Sequence, residues 1–277
     1  MNFPLIAPVI MTDHPAWLGG AGGRAVRALR RNDAIWLLES QLTSKGYVVT
    51  TTRMSGSSST PAVDVVNPDR LIGPAELVGP LRRAGSVARW RNPDLWDALA
   101  TAIIRQVIRA GQARKLYRAL SREHGEAVPG MPKALPLFPK PETVLALPDV
   151  EYARLGLAFK RNALRAAADA VLEFSGKWTE LHPVALRDEL QTVPRIGPWT
   201  AGAAVADLTN DYALYPFADL AVRTWARRLA PNRAWPDAEP DFGRAWSRLA
   251  GTQLSDWTLL TLAWGVQHAH NSGGTAL

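Results

Sequence analysis

The 277-residue chain contains no cysteine. That excludes disulfides, thiolate zinc sites, iron–sulfur clusters and a cysteine nucleophile together. His268 and His270 stand two apart, a spacing that puts them on different faces of a helix, so no side-chain metal site is expected. No apolar run approaches the roughly 18 residues of a membrane span. The apolar start, Met1 to Met11, has neither a basic flank nor a small-residue cleavage site, so no signal peptide and no membrane partner are expected. The glycine cluster Gly19, Gly20, Gly22, Gly23 lacks the Gly-Lys-Ser/Thr ending of a phosphate loop and reads as a turn, so no cofactor is expected. Internal repeats and coiled-coil heptads are absent as well.

What is present points elsewhere. Hydrophobic residues make up 47% of the chain, enough for a sizeable core. The net charge of +7 favours polyanionic partners, nucleic acid first and an anionic membrane surface second. The 11 tryptophans are many for this length and serve either as core or as flat platforms for bases. An intracellular monomer, cytoplasmic and associated with the nucleoid, is the expectation.

Residues 1–90 differ from the rest. They hold the glycine cluster, a serine-rich stretch and β-type runs at 47–52 and 62–66, and predict a small α+β region. Residues 91–277 are helical in pattern. Asn92 reads as a cap and Pro93 as a first-turn residue. Leu95, Leu99, Ile103 and Val107 then recur at i, i+4 and predict a helix to about residue 111. Further helices are predicted over 112–124, 142–146, 150–154, 160–175, 183–190, 199–208 and 219–229, with two more between 241 and 268.

The segment Val193-Pro194-Arg195-Ile196-Gly197-Pro198 is a tight turn between two predicted helices. Gly197 supplies backbone freedom, Ile196 is expected beneath the turn, and Pro198 suits the first turn of the second helix. The free amides of that helix start are a ready site for a DNA phosphate, a contact that positions without reading sequence. An ordinary αα-hairpin satisfies the same pattern.

Beyond the turn comes Phe217-Ala218-Asp219-Leu220-Ala221-Val222-Arg223. Upstream are Ala102-Ile103-Ile104-Arg105-Gln106-Val107 and Leu155-Gly156-Leu157 with Lys160, Arg161 and Leu164. Together these resemble the helix-hairpin-helix DNA glycosylase superfamily, nearest to its 3-methyladenine (alkylpurine) branch, over roughly residues 92–268. The resemblance implies a mainly α, two-lobed helical fold beside the smaller α+β N-terminal region. It implies a monofunctional glycosylase that hydrolyses the bond between a damaged, alkylated purine and its deoxyribose in double-stranded DNA.

The same resemblance implies residue roles. Asp219 is the catalytic carboxylate; as an isolated residue it reads as a helix cap, and its spacing from the hairpin favours catalysis. Trp199 stands where relatives that cut the strand carry a lysine, so a Schiff base is not expected. Trp199 and Trp264 flank the extruded base, with core packing as the other reading. Arg195, Ile196, Gly197, Thr200, Arg105, Gln106 and Val107 belong to the DNA-binding surface, with Val107 the intercalating wedge or else a helix-core valine. Arg109, Arg114, Lys115, Lys160, Arg161 and Arg223 are further candidates for phosphate contacts. Backbone carbonyls of the hairpin are implied to hold a monovalent cation. Arg105 and Arg109 depart from the small residues usual at their positions, which keeps open an enzyme dedicated to one bulky adduct. A non-catalytic DNA-binding protein is the remaining alternative, and Asp219 argues against it.

Overall fold

The structure, a computed structural model, describes residues 4–19, 23–131 and 135–269. Gly20 and Gly22 of the glycine cluster, and His270, lie outside the described residues. Helices hold about 50% of the residues and strands 16%, so the fold is mainly α with a substantial sheet region.

That sheet region begins with β1 (Leu5–Ala7), β2 (Val9–Ile10), β3 (Leu18–Gly19), β4 (Ala25–Arg31), β5 (Ala34–Thr43) and β6 (Gly46–Ser55). It continues through β7 (Val63–Val66), helix α1 (Ala75–Ala84) and β8 (Val87–Trp90). Five strands form an antiparallel sheet in the order β1-β6-β5-β4-β3, and β2-β8-β7 form a second. The runs at 47–52 and 62–66 fall on β6 and β7. The hairpin of β4 and β5 went unpredicted because its buried positions do not alternate cleanly and include Arg27.

The helical part runs through α2 (Leu95–Arg105), α3 (Ala110–His124), α4 (Pro141–Ala146), α5 (Asp149–Arg154) and α6 (Arg161–Trp178). Then follow α7 (Pro183–Leu190), α8 (Pro198–Thr209), α9 (Leu220–Leu229), α10 (Glu239–Ala250) and α11 (Leu254–Ala269). Two expectations at the start of α2 and at its end are corrected. Asp94, not Asn92, caps α2, accepting from the Asp97 N–H at 3.2 Å. Asn92 is instead buried, donating to Asp97 at 3.0 Å and Asp207 at 2.8 Å. The helix also stops at Arg105 rather than near 111, because Val107 takes a positive φ of 59°, which no helix residue adopts. Among the described residues no helix is long and apolar enough to cross a membrane.

Two apolar cores organise the helices. One gathers α2, α3, α6 and α8, with α2 buried on every side from Trp96 to Ile104. The other joins α9, α10 and α11 to α1 and to Val9 and Met11 of the N-terminal region. Residues 1–90 therefore share a core with the helices. Two glycines permit close approaches that shape the site: a Cβ on Gly202 of α8 would lie 2.5 Å from the Leu214 carbonyl oxygen, and one on Gly265 of α11 would lie 2.4 Å from the Trp225 ring.

Candidate active site

The ends of α2, α8 and α9 converge, and with them the residues picked out by motif. Asp219 is the N-cap of α9, its Oδ1 accepting from the Ala221 N–H at 3.3 Å. Its Oδ2 accepts a hydrogen bond from the Tyr215 hydroxyl at 2.8 Å. Both oxygens are thus oriented, while the side chain stays half-buried at the wall of a cavity of about 520 Å³. Arg105, Val107, Arg109, Trp199 and Tyr215 share that wall. Its size falls within the roughly 300–1,000 Å³ of ligand sites. Burial and the charge of Asp219 hold the Tyr215 phenol well above its ordinary pKa, so Tyr215 is a donor at neutral pH. Among the described residues no lysine lines this cavity.

The turn between α7 and α8 is the expected hairpin, with Ile196 buried beneath it and Arg195, Gly197 and Pro198 exposed. Its strained residue is not Gly197, whose φ of −93° any residue adopts, but Arg195 at φ 70°. No side chain caps α8. Thr200 is corrected from surface to interior: it is 2% exposed, and its hydroxyl accepts from Gln106 Nε2 at 2.7 Å. Gln106 also donates to the Arg195 carbonyl at 3.4 Å, and Lys160 Nζ donates to the Gln106 carbonyl at 2.5 Å. Gln106 therefore fastens the end of α2 to the hairpin. Beside it Val107 is 102% exposed, on a loop rather than a helix, so the helix-core reading of this valine is overturned.

Other placements differ from expectation. Trp264 does not line the Asp219 cavity; its ring meets Trp225 edge-on at 6.3 Å and stacks on His268 at 3.9 Å. Arg161 is paired with Asp149 at 2.5 Å, and Arg223 donates to the Asp237 carbonyl at 3.3 Å. Arg105 is half-buried rather than freely exposed. It lines both the Asp219 cavity and an inner cavity of about 170 Å³ walled by Asp13, Arg89, Tyr212 and Trp225. Burial alone would lower its pKa, and Tyr215, Asp13, Tyr212 and Asp207 more than offset this, so the guanidinium stays charged.

The sequence reading missed Tyr215, although it stands four residues before Asp219 across Pro216. It also missed a buried polar cluster under the inner cavity. Arg89 donates to Asp13 at 3.1 Å and to Asp207 at 2.5 Å, Tyr117 donates to Asp97 at 2.8 Å, and His14 approaches Asp97 at 3.4 Å. These residues come from elements far apart in sequence, and no local spacing announces them.

Solved structures share this architecture. An 8-oxoguanine glycosylase/lyase from Clostridium acetobutylicum, bound to double-stranded DNA with cytosine opposite 8-oxoguanine, matches with a TM-score of 0.70 at 14% identity, over 98% of this chain and 98% of that one. The 3-methyladenine DNA glycosylase from Archaeoglobus fulgidus matches with a TM-score of 0.69 at 16% identity, over 99% of this chain and all 100% of that one. MBOgg1, in complex with a low-affinity DNA ligand, gives 0.69 at 16% identity over 98% and 99%. No protein-family model and no curated protein matches the chain. The chain thus has the fold of these DNA glycosylase structures. The likeness takes in residues 1–90, beyond the 92–268 on which the sequence resemblance rested.

Proposed function

We propose that this chain, built on the fold of those glycosylase structures, is a monofunctional DNA glycosylase that hydrolyses the N-glycosidic bond of a damaged purine in duplex DNA and leaves an abasic site. One observation carries the reading: an oriented carboxylate, Asp219, stands at a cavity wall between the hairpin and an exposed apolar loop residue. The two helical cores are read as two lobes, with the damaged nucleotide extruded into the cleft between them.

In the reaction the C1′–N9 bond breaks with its electron pair passing to the base. Water oxygen bonds to C1′, and one water proton ends on the base nitrogen. Positive charge develops on the sugar as the bond lengthens. A carboxylate about 4 Å away, at an effective dielectric near 20, stabilises that charge by about 4 kcal/mol. This corresponds to about a thousandfold in rate. Tyr215 and the Ala221 amide hold Asp219 in place beforehand, so little reorganisation is needed.

The remaining residues would handle the duplex. Trp199 offers a face for the extruded base to stack on. Val107, a β-branched residue held fully exposed at positive φ, fits a wedge that fills the vacated space. The uncapped start of α8 offers amides to a phosphate, and Gly197 leaves them unshielded because a Cβ there meets open space. Exposed Arg195 and Arg109 supply charge beside it. The Val193 and Arg195 carbonyls each accept one hydrogen bond and keep a second lone pair, a donor set that fits a weakly held monovalent cation. Such an ion would brace the turn, and the reaction does not run through it.

The test is product analysis on duplexes carrying single damaged purines. The expected product is intact strand that breaks only after alkali, with no covalent adduct on borohydride. Breakage without alkali, together with a trapped adduct, would overturn the hydrolytic reading, which rests on the Asp219 cavity having no lysine among the described residues to form a Schiff base.

A further inference from the structure

We propose that Arg105 sets the substrate class of this site: it selects a damaged purine that enters uncharged with an acceptor edge, and it rejects purines made cationic by ring alkylation. The inference rests on the glycosylase reading and narrows it, keeping among alkylated bases those that carry no charge.

Three observations support it. First, Arg105 is the charged residue that lines both cavities, so it borders the Asp219 cavity on the side of the inner one. Second, that guanidinium makes no hydrogen bond or ion pair among the described residues, and its donors are uncommitted. The inner carboxylates, Asp13 and Asp207, are both taken by Arg89. Two carboxylates against the guanidiniums of Arg89, Arg105 and Arg114 leave the inner wall positive. Third, two aromatic faces of the inner cavity are already engaged by cations. Arg89 lies 5.3 Å over Tyr212, and Arg228 lies 4.8 Å over Trp225. A cationic purine reaching the inner cavity therefore meets like charge, in a half-buried site where screening is weak, and finds Tyr212 and Trp225 already covered by cations.

The chemistry of departure agrees. A cationic purine leaves as a neutral base and needs little help. A neutral purine receives the bonding electron pair and carries negative charge until a proton from water reaches it. A fixed guanidinium donating to a carbonyl oxygen or ring nitrogen of that base stabilises the charge as it forms. Arg105 thus acts on the leaving group while Asp219 acts on the sugar, and Tyr215, hydrogen-bonded to Asp219, lines both cavities with Arg105.

The experiment measures single-turnover base release by the full chain from duplexes holding one hypoxanthine, one 8-oxoguanine or one 7-methylguanine. Wild type is expected to release at least one neutral base about 100-fold faster than 7-methylguanine, the scale on which a single preorganised donor matters. Arg105→Gln, which keeps polarity and loses charge, should lower the neutral rate by about the same factor and leave 7-methylguanine release equal or faster. Arg105→Lys keeps the charge and should keep the preference for neutral bases. A wild type fastest on 7-methylguanine, or Arg105→Gln slowing all substrates alike, would overturn the role given to Arg105. Release from none of the duplexes would instead remove the glycosylase reading itself.

Discussion

Asp219 is both a cap and a candidate catalyst, and the two roles are compatible because they use different oxygens. Oδ1 takes the backbone amide of Ala221, and Oδ2 takes the Tyr215 hydroxyl. The long 3.3 Å cap bond leaves the phenol as the stronger constraint on the carboxylate. Tyr215→Phe removes that constraint without moving charge. Base release is expected to slow about tenfold while duplex affinity holds, the pattern of a group that positions a catalyst. Weakened duplex binding with an unchanged rate would assign Tyr215 to packing alone. At the hairpin the positive φ belongs to Arg195, not to the neighbouring glycine. Backbone freedom is therefore no explanation for Gly197, and open space at its Cα is the physical reason that remains.

The loop at 106–109 is the element on which most of the account depends. Gln106 ties it to α8 and the hairpin, Lys160 ties it to the start of α6, and Val107 projects from it. A valine at positive φ carries strain of about 1–2 kcal/mol. Val107→Gly should relieve it, raising the melting temperature by about 2–4 °C for each kcal/mol in a chain of this size. The same change should slow base release from duplex DNA, since the wedge is gone. A variant that is more stable and equally active would show that the valine does not enter the duplex. The helices themselves were readable because their apolar residues recur at helical spacing. Their limits were less so: the spacing of Leu95, Leu99 and Ile103 runs on to Val107, and nothing in it reports the reversal of φ that ends α2. Asp219 and Trp199 were found by motif and do share a cavity. Trp264 was misplaced because α11 is apolar on nearly every side, so its pattern does not say which face meets the cavity. Arg105 was read as part of the DNA-binding surface, and its spacing does not report that it lines two cavities at the end of a helix buried from Trp96 to Ile104.

At the scale of the whole molecule, the buried polar cluster joins the N-terminal region to the helices, linking His14, Arg27 and Arg89 to Asp97 and Asp207. Burial pushes Asp97 up to about 7, against the pull of Arg27 and with Asp94 adding to it. Folded Asp97 thus keeps a proton that the unfolded chain releases near 3.8, and its contribution to stability is lost as pH rises through about 7. His14 runs the other way: burial and Arg27 hold its pKa well below 6.5, so its contribution is lost as pH falls below that value. Asp97→Asn removes the first effect and leaves the second. The melting temperature of this variant should therefore gain on wild type between pH 5 and pH 8, and a constant difference would contradict the assignment. The central claim, that this fold carries base-excision chemistry on one carboxylate, is tested most directly by single-turnover base release with wild type and Asp219→Asn on the same damaged duplexes. Asp219→Asn is expected to lose about a thousandfold in rate with duplex affinity preserved; a variant that releases bases at the wild-type rate would contradict the role of this carboxylate.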